Sequence, residues 1–386
     1  MSPSSAFDAQ RQALTKALTH YDSVVTDGAS SSALVTAEHQ IYLASKALTT
    51  QLKPPGVFAL DLVFPVVIAC QLGIFDIVED ETTIEELAVK TVRIMRALAS
   101  ADIFTQPRRN AYAATKFSRK LRERPARTWT MASLFFMNKM CMNLPEALAQ
   151  DAYRNPADPA KAAMTKAFGV PLWSMLENDE NARLTFDTAM EQQDDLPLEM
   201  IPDQEVDWFA MLGDVPATEI AFVDVGGGNG HAMSKIAELT RGRIEGRFVL
   251  QDQQGTVESL QSTAQRLPFE CTVHNFFEKQ PIRGAKVYHI RRCLHDWSDN
   301  TCEQILRHLR DAMKPGYSRV LIHEFVLPVV GAQQREVLFD ILMMCLTGSE
   351  RDEEQWETLL QRSGLRIVKI WRAKIGHMAI IEAEAV

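Results

Sequence analysis

The sequence predicts an α/β protein, with a C-terminal domain built on a parallel sheet and a mainly α-helical part before it. Three observations carry this. From Ile220 onward, short β-branched or aromatic runs alternate with helical stretches, as in a parallel sheet covered on both faces. A glycine-rich loop, Gly226–Gly230, stands between the first of those strands and the first helix. Before Ile220 the apolar spacing is helical almost throughout. The length agrees, since 386 residues is long for one ordinary domain and about right for two.

Composition narrows the class. The chain is 46% hydrophobic and 24% charged, ordinary globular values that exclude a mostly disordered or fibrous protein. The longest apolar run, Leu62–Cys70, contains Pro65 and is about half of what a membrane span needs. Met1–His20 holds no apolar core of a signal peptide. Six scattered cysteines form no CxxC pair and no Cys/His ligand spacing, which argues against structural zinc or a disulfide framework. The expectation is a soluble cytoplasmic protein with free thiols and no metal. The net charge of −9 is uneven: between Lys90 and Arg127 there are 11 Lys/Arg against two acids, and between Glu177 and Asp207 there are 11 acids against Arg183 alone.

In chain order, residues 1–50 show narrow apolar stripes (Leu14, Leu18, Tyr42, Leu43, Leu48) that bury little by themselves, so these helices are expected to pack on something else, a partner chain included. Lys53-Pro54-Pro55-Gly56 breaks the chain, and Val57–Leu72 reads as a buried helix. Thr82-Thr83-Ile84-Glu85-Glu86-Leu87 reads as a capping box opening a helix. A second short helix follows at Val92–Leu98, with Ile94, Met95 and Leu98 as its apolar face. Ile103–Thr115 holds two extended pieces about a turn at Pro107–Asn110. Helix, turn, helix and hairpin together make a winged helix, and residues 1–125 are assigned to an arm plus this domain.

Residues 126–215 read as a helical connector rich in Met, Phe and Trp. Most of these side chains are expected in the core. Some should wall a pocket for a flat organic ligand, and Phe168, Trp173, Phe186 and Met190, with Met343 and Met344 further on, are assigned to it. Residues 216–386 form the sheet domain. Its strands are expected at Ile220–Val225, Gly246–Gln251, Phe269–Val273, Val287–Arg291, Arg319–His323 and Arg366–Ile370. Its helices are expected at Asn229–Leu239, Gly255–Gln265, Asn300–Met313 and Glu353–Ser363. Arg366–Trp371 and Met378–Glu382 should pair as an antiparallel edge.

The loop Val223-Asp224-Val225-Gly226-Gly227-Gly228-Asn229-Gly230 selects among ligands. The dinucleotide fingerprint would need glycine where His231 stands, and no GK[ST] phosphate loop is present. What remains is D-x-G-x-G-x-G, suited to a ligand with no pyrophosphate. Asp252, at the end of the next strand, stands where a carboxylate accepts both ribose hydroxyls.

VDVGGGNGH, LQD at 250–252, RRCLHDWSD at 291–299, IHEFVLP at 322–328 and GSERDEEQW at 348–356 together resemble the plant- and fungal-type small-molecule O-methyltransferases that depend on S-adenosylmethionine. The resemblance extends upstream through LGIFDIV, TIEELA, RIMRALAS and FDTAM, over roughly residues 50–386. It implies a winged-helix dimerisation domain followed by a Rossmann-like domain, a homodimer, a small-molecule substrate of fungal secondary metabolism, and S-adenosyl-L-homocysteine as coproduct. Carried over by position, it places Asp224, Gly226, Gly228 and Asp252 at the cofactor, with Asn275 and Phe276 around the adenine. Asn275 stands where the family has an acid, and Arg291 matches a basic position facing the cofactor. His295 matches the catalytic base, and Glu324 and Glu350 its two flanking acids. Asp296 and Trp297 are expected to be structural, as a helix-start acid and a core or lid ring.

That constellation suits methyl transfer to a phenolic or polyketide-type hydroxyl. The methyl donor is already activated, so the obstacle is the proton of a phenol near pKa 10, which an imidazole near 6.5 must take. Two departures from the family pattern stand out: the segment Val89-Lys90-Thr91 is short, and Asp352 replaces the usual threonine. A second reading is a cofactor-retaining pericyclase of the leporin type, in which a cation at the base position polarises a carbonyl. A third, nucleic-acid binding through the basic winged helix, is set aside because Ile94, Met95 and Leu98 commit the short helix to packing.

Overall fold

The computed structural model describes residues 3–52, 66, 69–78, 82–83, 92–109, 111–194, 202–213, 215–240, 243–262 and 267–386. The chain divides into two compact units, Met1–Leu134 and Phe135–Val386, a boundary inside the stretch read as connector.

The first unit opens with α1 (Pro3–Thr26) and α2 (Ser31–Leu52), joined at a turn where Gly28 takes φ 61°. Ala17, Val24 and Ala37 are buried, whereas Leu18, Val25, Tyr42 and Leu43 remain exposed. Of the expected helix Val57–Leu72 only Val66 and Ala69–Leu72 lie among the described residues; Val66 and Ala69 are buried and Leu72 is exposed. Gly73 begins α3 (Ile74–Ile77) in the left-handed conformation. Thr82 and Thr83 form β1, pairing antiparallel with Tyr112 and Ala111, where the sequence suggested a helix cap. Strand pairing takes their backbone, and the helix expected to follow lies outside the described residues. Next come α4 (Val92–Ser100), β2 (Phe104–Arg108), β3 (Ala111–Ala114), α5 (Lys116–Lys120) and α6 (Arg124–Met131). The sheet order is β1-β3-β2. Met95 and Leu98 join Ile74, Phe75, Phe104 and Tyr112 in its core, with Ile94 partly buried against it.

The second unit begins with helices α7 (Asn138–Gln150), α8 (Ala163–Phe168), α9 (Leu172–Asn178), α10 (Glu180–Asp194) and α11 (Trp208–Leu212). The sheet strands are β4 (Ile220–Val225), β5 (Arg247–Asp252), β6 (Glu270–Val273), β7 (Val287–Arg291), β8 (Arg319–Leu327), β9 (Arg351–Asp352), β10 (Leu365–Arg372) and β11 (Met378–Ala385). Between them run α12 (His231–Leu239), α13 (Gln254–Ser262), α14 (Asp299–Ala312), α15 (Gln334–Met344) and α16 (Glu353–Arg362). The order is β10-β11-β8-β7-β4-β5-β6, with β9 beside the end of β8. Strands β4 to β8 pair in parallel, while β11 is antiparallel to both β8 and β10. The terminal hairpin therefore inserts β11 within the sheet and leaves β10 at one edge, with β6 at the other.

Largely apolar runs make the central strands β4, β5, β7 and β8 fit a sheet buried on both faces, while β6 and β10 at its edges are more exposed. One face packs α14 (Ile305, Leu306, Leu309) and α16 (Trp356, Leu359, Leu360). The other packs Met233 and Ile236 of α12, Leu260 of α13, and Trp208 and Leu212 of α11. Polar residues inside these strands are the exception, and Asp224, His289, His323 and Glu324 are all buried. The order reverses at β4, with β5 on one side and β7 on the other. Such switch points place ligands beyond the carboxyl ends of the strands. No helix among the described residues is long and apolar enough to cross a membrane.

Candidate active site

The glycine loop leaves β4 with Gly226, Gly228 and Gly230 all at positive φ, between 55° and 76°. Its backbone folds back on β5, as Gly226 N and Gly227 N donate to Gln251 O. Gly228 N donates to Asp252 Oδ2 at 2.8 Å and Gln253 N to Asp252 Oδ1 at 2.7 Å. Burial raises the pKa of the Asp252 carboxyl despite these bonds. A Cβ at Gly226 would come within 3.0 Å of Cys293 Sγ and one at Gly227 within 2.7 Å of Leu250, whereas one at Gly228 would meet nothing within 4 Å. The loop is thus packed from behind and open over Gly228. The Thr256 side chain also hydrogen-bonds this carboxylate, which leaves one of its acceptor positions for a ribose hydroxyl. This arrangement fits a nucleoside with a small charged tail.

Asp224 is fully buried beneath the loop. Its Oδ1 lies 2.8 Å from His289 Nδ1, and its Oδ2 has no hydrogen-bond partner in the protein. Phe276 reaches the loop, its ring 3.5 Å from the Cβ position of Gly226. The Asn275 side chain is exposed, and its oxygen accepts from Phe277 N at 3.1 Å, so it serves its own turn. Arg291 ends β7, half-buried, in register with His323.

Beyond β7 the chain turns sharply. Arg292 takes φ 51° and its N–H donates to His323 O. A short helical turn, Leu294–Asp296, then presents His295. Glu324, in β8 and fully buried, accepts with Oε1 from the N–H groups of Cys293, Leu294 and His295 at 2.9, 3.0 and 3.3 Å. One carboxylate satisfies three donors at the start of that turn, where negative charge is favoured. Arg351, also buried, ties the far side: it donates to the carbonyls of Leu294, Trp297 and Ser349 and to Asp299. Gly348 lies so close that a Cβ there would sit 1.9 Å from His295 O.

The buried His295 ring faces three carboxylates. Nδ1 is 2.8 Å from Glu350 Oε1 and 4.0 Å from Glu324 Oε2, and Nε2 is 3.6 Å from Asp296 Oδ1. Glu350 N donates to Asp340 of α15. Arg292 Nη1 stands 3.1 Å from Glu350 Oε1 and 3.6 Å from Glu324 Oε2. Burial and Arg292 push the His295 pKa down, but the three acids outweigh them and it lies above its ordinary value. Burial opposes ionisation of Glu350, yet the charges and hydrogen bonds of His295 and Arg292 hold it well below the usual carboxylate range. Asp296 is pushed up to about 6, chiefly by burial. His295, Glu324 and Glu350 are close enough to chelate an ion. The cation between the two glutamates is the guanidinium of Arg292, and no metal is assigned there.

Aromatic residues connect the helices to this turn. Trp173 of α9 stacks on Trp297 at 5.7 Å and meets Phe186 of α10 edge-on. Trp297 in turn contacts Phe276 and Phe277. Phe168 stacks on Phe136 instead, in a cluster with Met344. Met343 is buried on α15 and Met190 half-buried on α10. Trp173 and Phe186 are therefore brought toward the turn that carries His295, while Phe168 packs among the helices. Arg292 and Asp296 are site residues that sequence reasoning missed. The only signals were a second arginine after Arg291 and an acid after His295.

Known proteins match this architecture. A model of the O-methyltransferase domain matches residues 148–366. The methyltransferase cfoC of Aspergillus candidus is 31% identical over 371 residues, covering 90% of each chain. The O-methyltransferase ATR12 of Stachybotrys chlorohalonatus is 32% identical over 296 residues, 76% of this chain and 74% of that one. Among solved structures, LepI in complex with SAM superposes with a TM-score of 0.82 at 26% identity, over 91% of this chain and 94% of that one. OxaC, at 23% identity and a TM-score of 0.81 over 98% and 100% of the two chains, shares the fold. The chain belongs to the O-methyltransferase family, whose methyl donor is S-adenosylmethionine.

Proposed function

We propose that this enzyme methylates a hydroxyl of a phenolic or polyketide-type small molecule, with His295 as general base. The carrying observation is the 2.8 Å contact between His295 Nδ1 and Glu350 Oε1. An ionised carboxylate only accepts, so the ring proton sits on Nδ1 and Nε2 is left with a lone pair. Gly226, Gly228 and Asp252 would hold the cofactor, with Phe276 beside the adenine, and Asp224 and Arg291 supporting the loop and the end of β7. When bound, S-adenosylmethionine supplies an electrophilic methyl and leaves as S-adenosylhomocysteine. His295 Nε2 takes the hydroxyl proton, and Glu350 stabilises the imidazolium that forms. Glu324 fixes the turn that aims the ring. Trp173 and Phe186, with Met190, Met343, Met344 and Phe168 behind, would form an apolar wall for the acceptor. A positioned base contributes about 10²–10⁴-fold.

A second reading is a cofactor-retaining pericyclase. It is favoured by the likeness to a structure titled "A Pericyclic Reaction enzyme", with a TM-score of 0.82 at 26% identity. Incubation with a labelled methyl donor and a panel of phenols and polyketides separates the two. Label in the product supports the base reading, and conversion without label overturns it.

The homodimer belongs to the same proposal. It is supported by exposed Leu18, Val25, Tyr42 and Leu43 on the α1–α2 pair, a face that a second copy would cover. Light scattering on a chain lacking its first 50 residues tests it; a dimer unchanged by the truncation removes the arm from the interface.

A further inference from the structure

We propose that Arg292 is a positioning residue of this site: its guanidinium, set against the carboxylates of Glu350 and Glu324, keeps His295 free to accept a proton at neutral pH. The inference rests on the base reading of His295 and names what makes that base usable.

Arg291 and Arg292 are neighbours in sequence but not in role. Arg291 ends β7, whereas Arg292 takes φ 51°, a left-handed conformation that favours glycine. Such strain persists where surrounding contacts over-determine it. Here the guanidinium lies over the rings of Phe325 and Phe339, at 4.7 and 5.2 Å from their centroids, and reaches Glu350 at 3.1 Å and Glu324 at 3.6 Å. The aromatic faces favour a cation and the two acids require one.

The charges around His295 show why. Asp296 faces it from its own turn, Glu324 from β8 and Glu350 from the loop after α15. Asp340 of α15 stands behind Glu350, and Arg351 turns the other way, to Asp299. Arg335 of α15 stacks on the same two rings as Arg292, 6.0 and 5.7 Å from their centroids. Three buried acids without a counter-cation would hold the imidazole protonated, and a protonated imidazole cannot be a base. Arg292 opposes them at the two carboxylates nearest Nδ1. It lowers the proton affinity of His295 while keeping Glu350 ionised, the state that orients the ring.

The test compares Arg292→Met with Arg292→Lys. Both side chains can lie over Phe325 and Phe339, both meet the same backbone constraint, and only lysine keeps the charge. Two readouts are taken: the acid limb of kcat against pH, and the titration of His295 by NMR of the histidine-labelled protein without acceptor, its resonance identified by loss in His295→Gln. Arg292→Met should move both about one pH unit to the alkaline side. That costs about tenfold in rate at a pH below the shifted value. Arg292→Lys should leave both within a few tenths of wild type. If Met at this backbone does not fold, Arg292→Asn, whose side chain tolerates the left-handed region, makes the same comparison. An unmoved His295 titration in the uncharged variant, or an equal shift in Arg292→Lys, overturns the proposal. If no methyl is transferred but the titration still separates the two variants, the reaction assigned above fails and the role of Arg292 stands.

Discussion

His295 Nδ1 and Glu350 Oε1 lie 2.8 Å apart across 55 residues of chain, and neither group is shared with solvent. The acid thereby chooses which imidazole nitrogen can work. His295→Ala should lose about 10²-fold or more in kcat with cofactor affinity retained. His295→Arg should be equally inactive in methyl transfer, because guanidinium cannot accept a proton. Substantial turnover by the arginine variant without consumption of methyl donor would exclude a base.

Glu350→Gln predicts a shift of the opposite sign from that expected of Arg292→Met. The Glu350 charge raises the proton affinity of His295. Its removal should move the acid limb of kcat to lower pH while kcat itself falls, as the ring loses its orienting acceptor. Loss of a charge-assisted hydrogen bond of this kind corresponds to about 1.5–3 kcal/mol. A pH–rate series on the variant reads both, and an alkaline shift would contradict the assignment of charges.

Asp252→Ala should weaken cofactor binding by about 1.5–3 kcal/mol in calorimetry, since the ribose loses a charged acceptor and Gly228 N loses its partner. Equal affinity in the mutant would remove Asp252 from the cofactor site.

Gly348→Ala tests how rigid the support of His295 is. The added methyl would lie 1.9 Å from His295 O and within 3.0 Å of Asp296 backbone atoms, which are main chain and cannot swing aside. A destabilisation of at least about 1–3 kcal/mol is expected in the urea midpoint, together with loss of methyl transfer. Wild-type stability and rate would show that the Gly348 and His295 segments move apart freely.

The sheet was legible because the central parallel strands are largely apolar, and the expected Val287–Arg291 matches β7 residue for residue; β6 (Glu270–Val273), at the edge and mostly exposed, is the polar exception. Strand β8 runs past His323 to Leu327, and that longer strand carries Glu324 inside the sheet. The glycine loop, Asp252, His295 and the two glutamates were singled out from chemistry together with resemblance, and the structure sets Asp252 against the loop and both glutamates beside His295. Arg292 was not, because a left-handed turn after a strand has no reliable mark when the residue is arginine. Asp296 followed the pattern of a helix-start acid, yet the helix begins at Asp299 and leaves it free to approach Nε2. Thr82 and Thr83 fit the local rule for cap residues; the structure pairs them with Tyr112 and Ala111, a contact no local rule sees, and the helix they were expected to open lies outside the described residues.

The stacked indoles of Trp173 and Trp297 have a practical consequence. One comes from α9 and the other from the segment bearing His295, with centroids 5.7 Å apart and planes inclined by 19°. Chromophores held this close couple, and near-ultraviolet circular dichroism reports such fixed packing. A molecule wedging against Trp173 would change that signal before any chemistry occurs. With six tryptophans in the chain, the band assigned by Trp173→Phe becomes an optical handle for screening candidate acceptors without a radiolabel or a product assay.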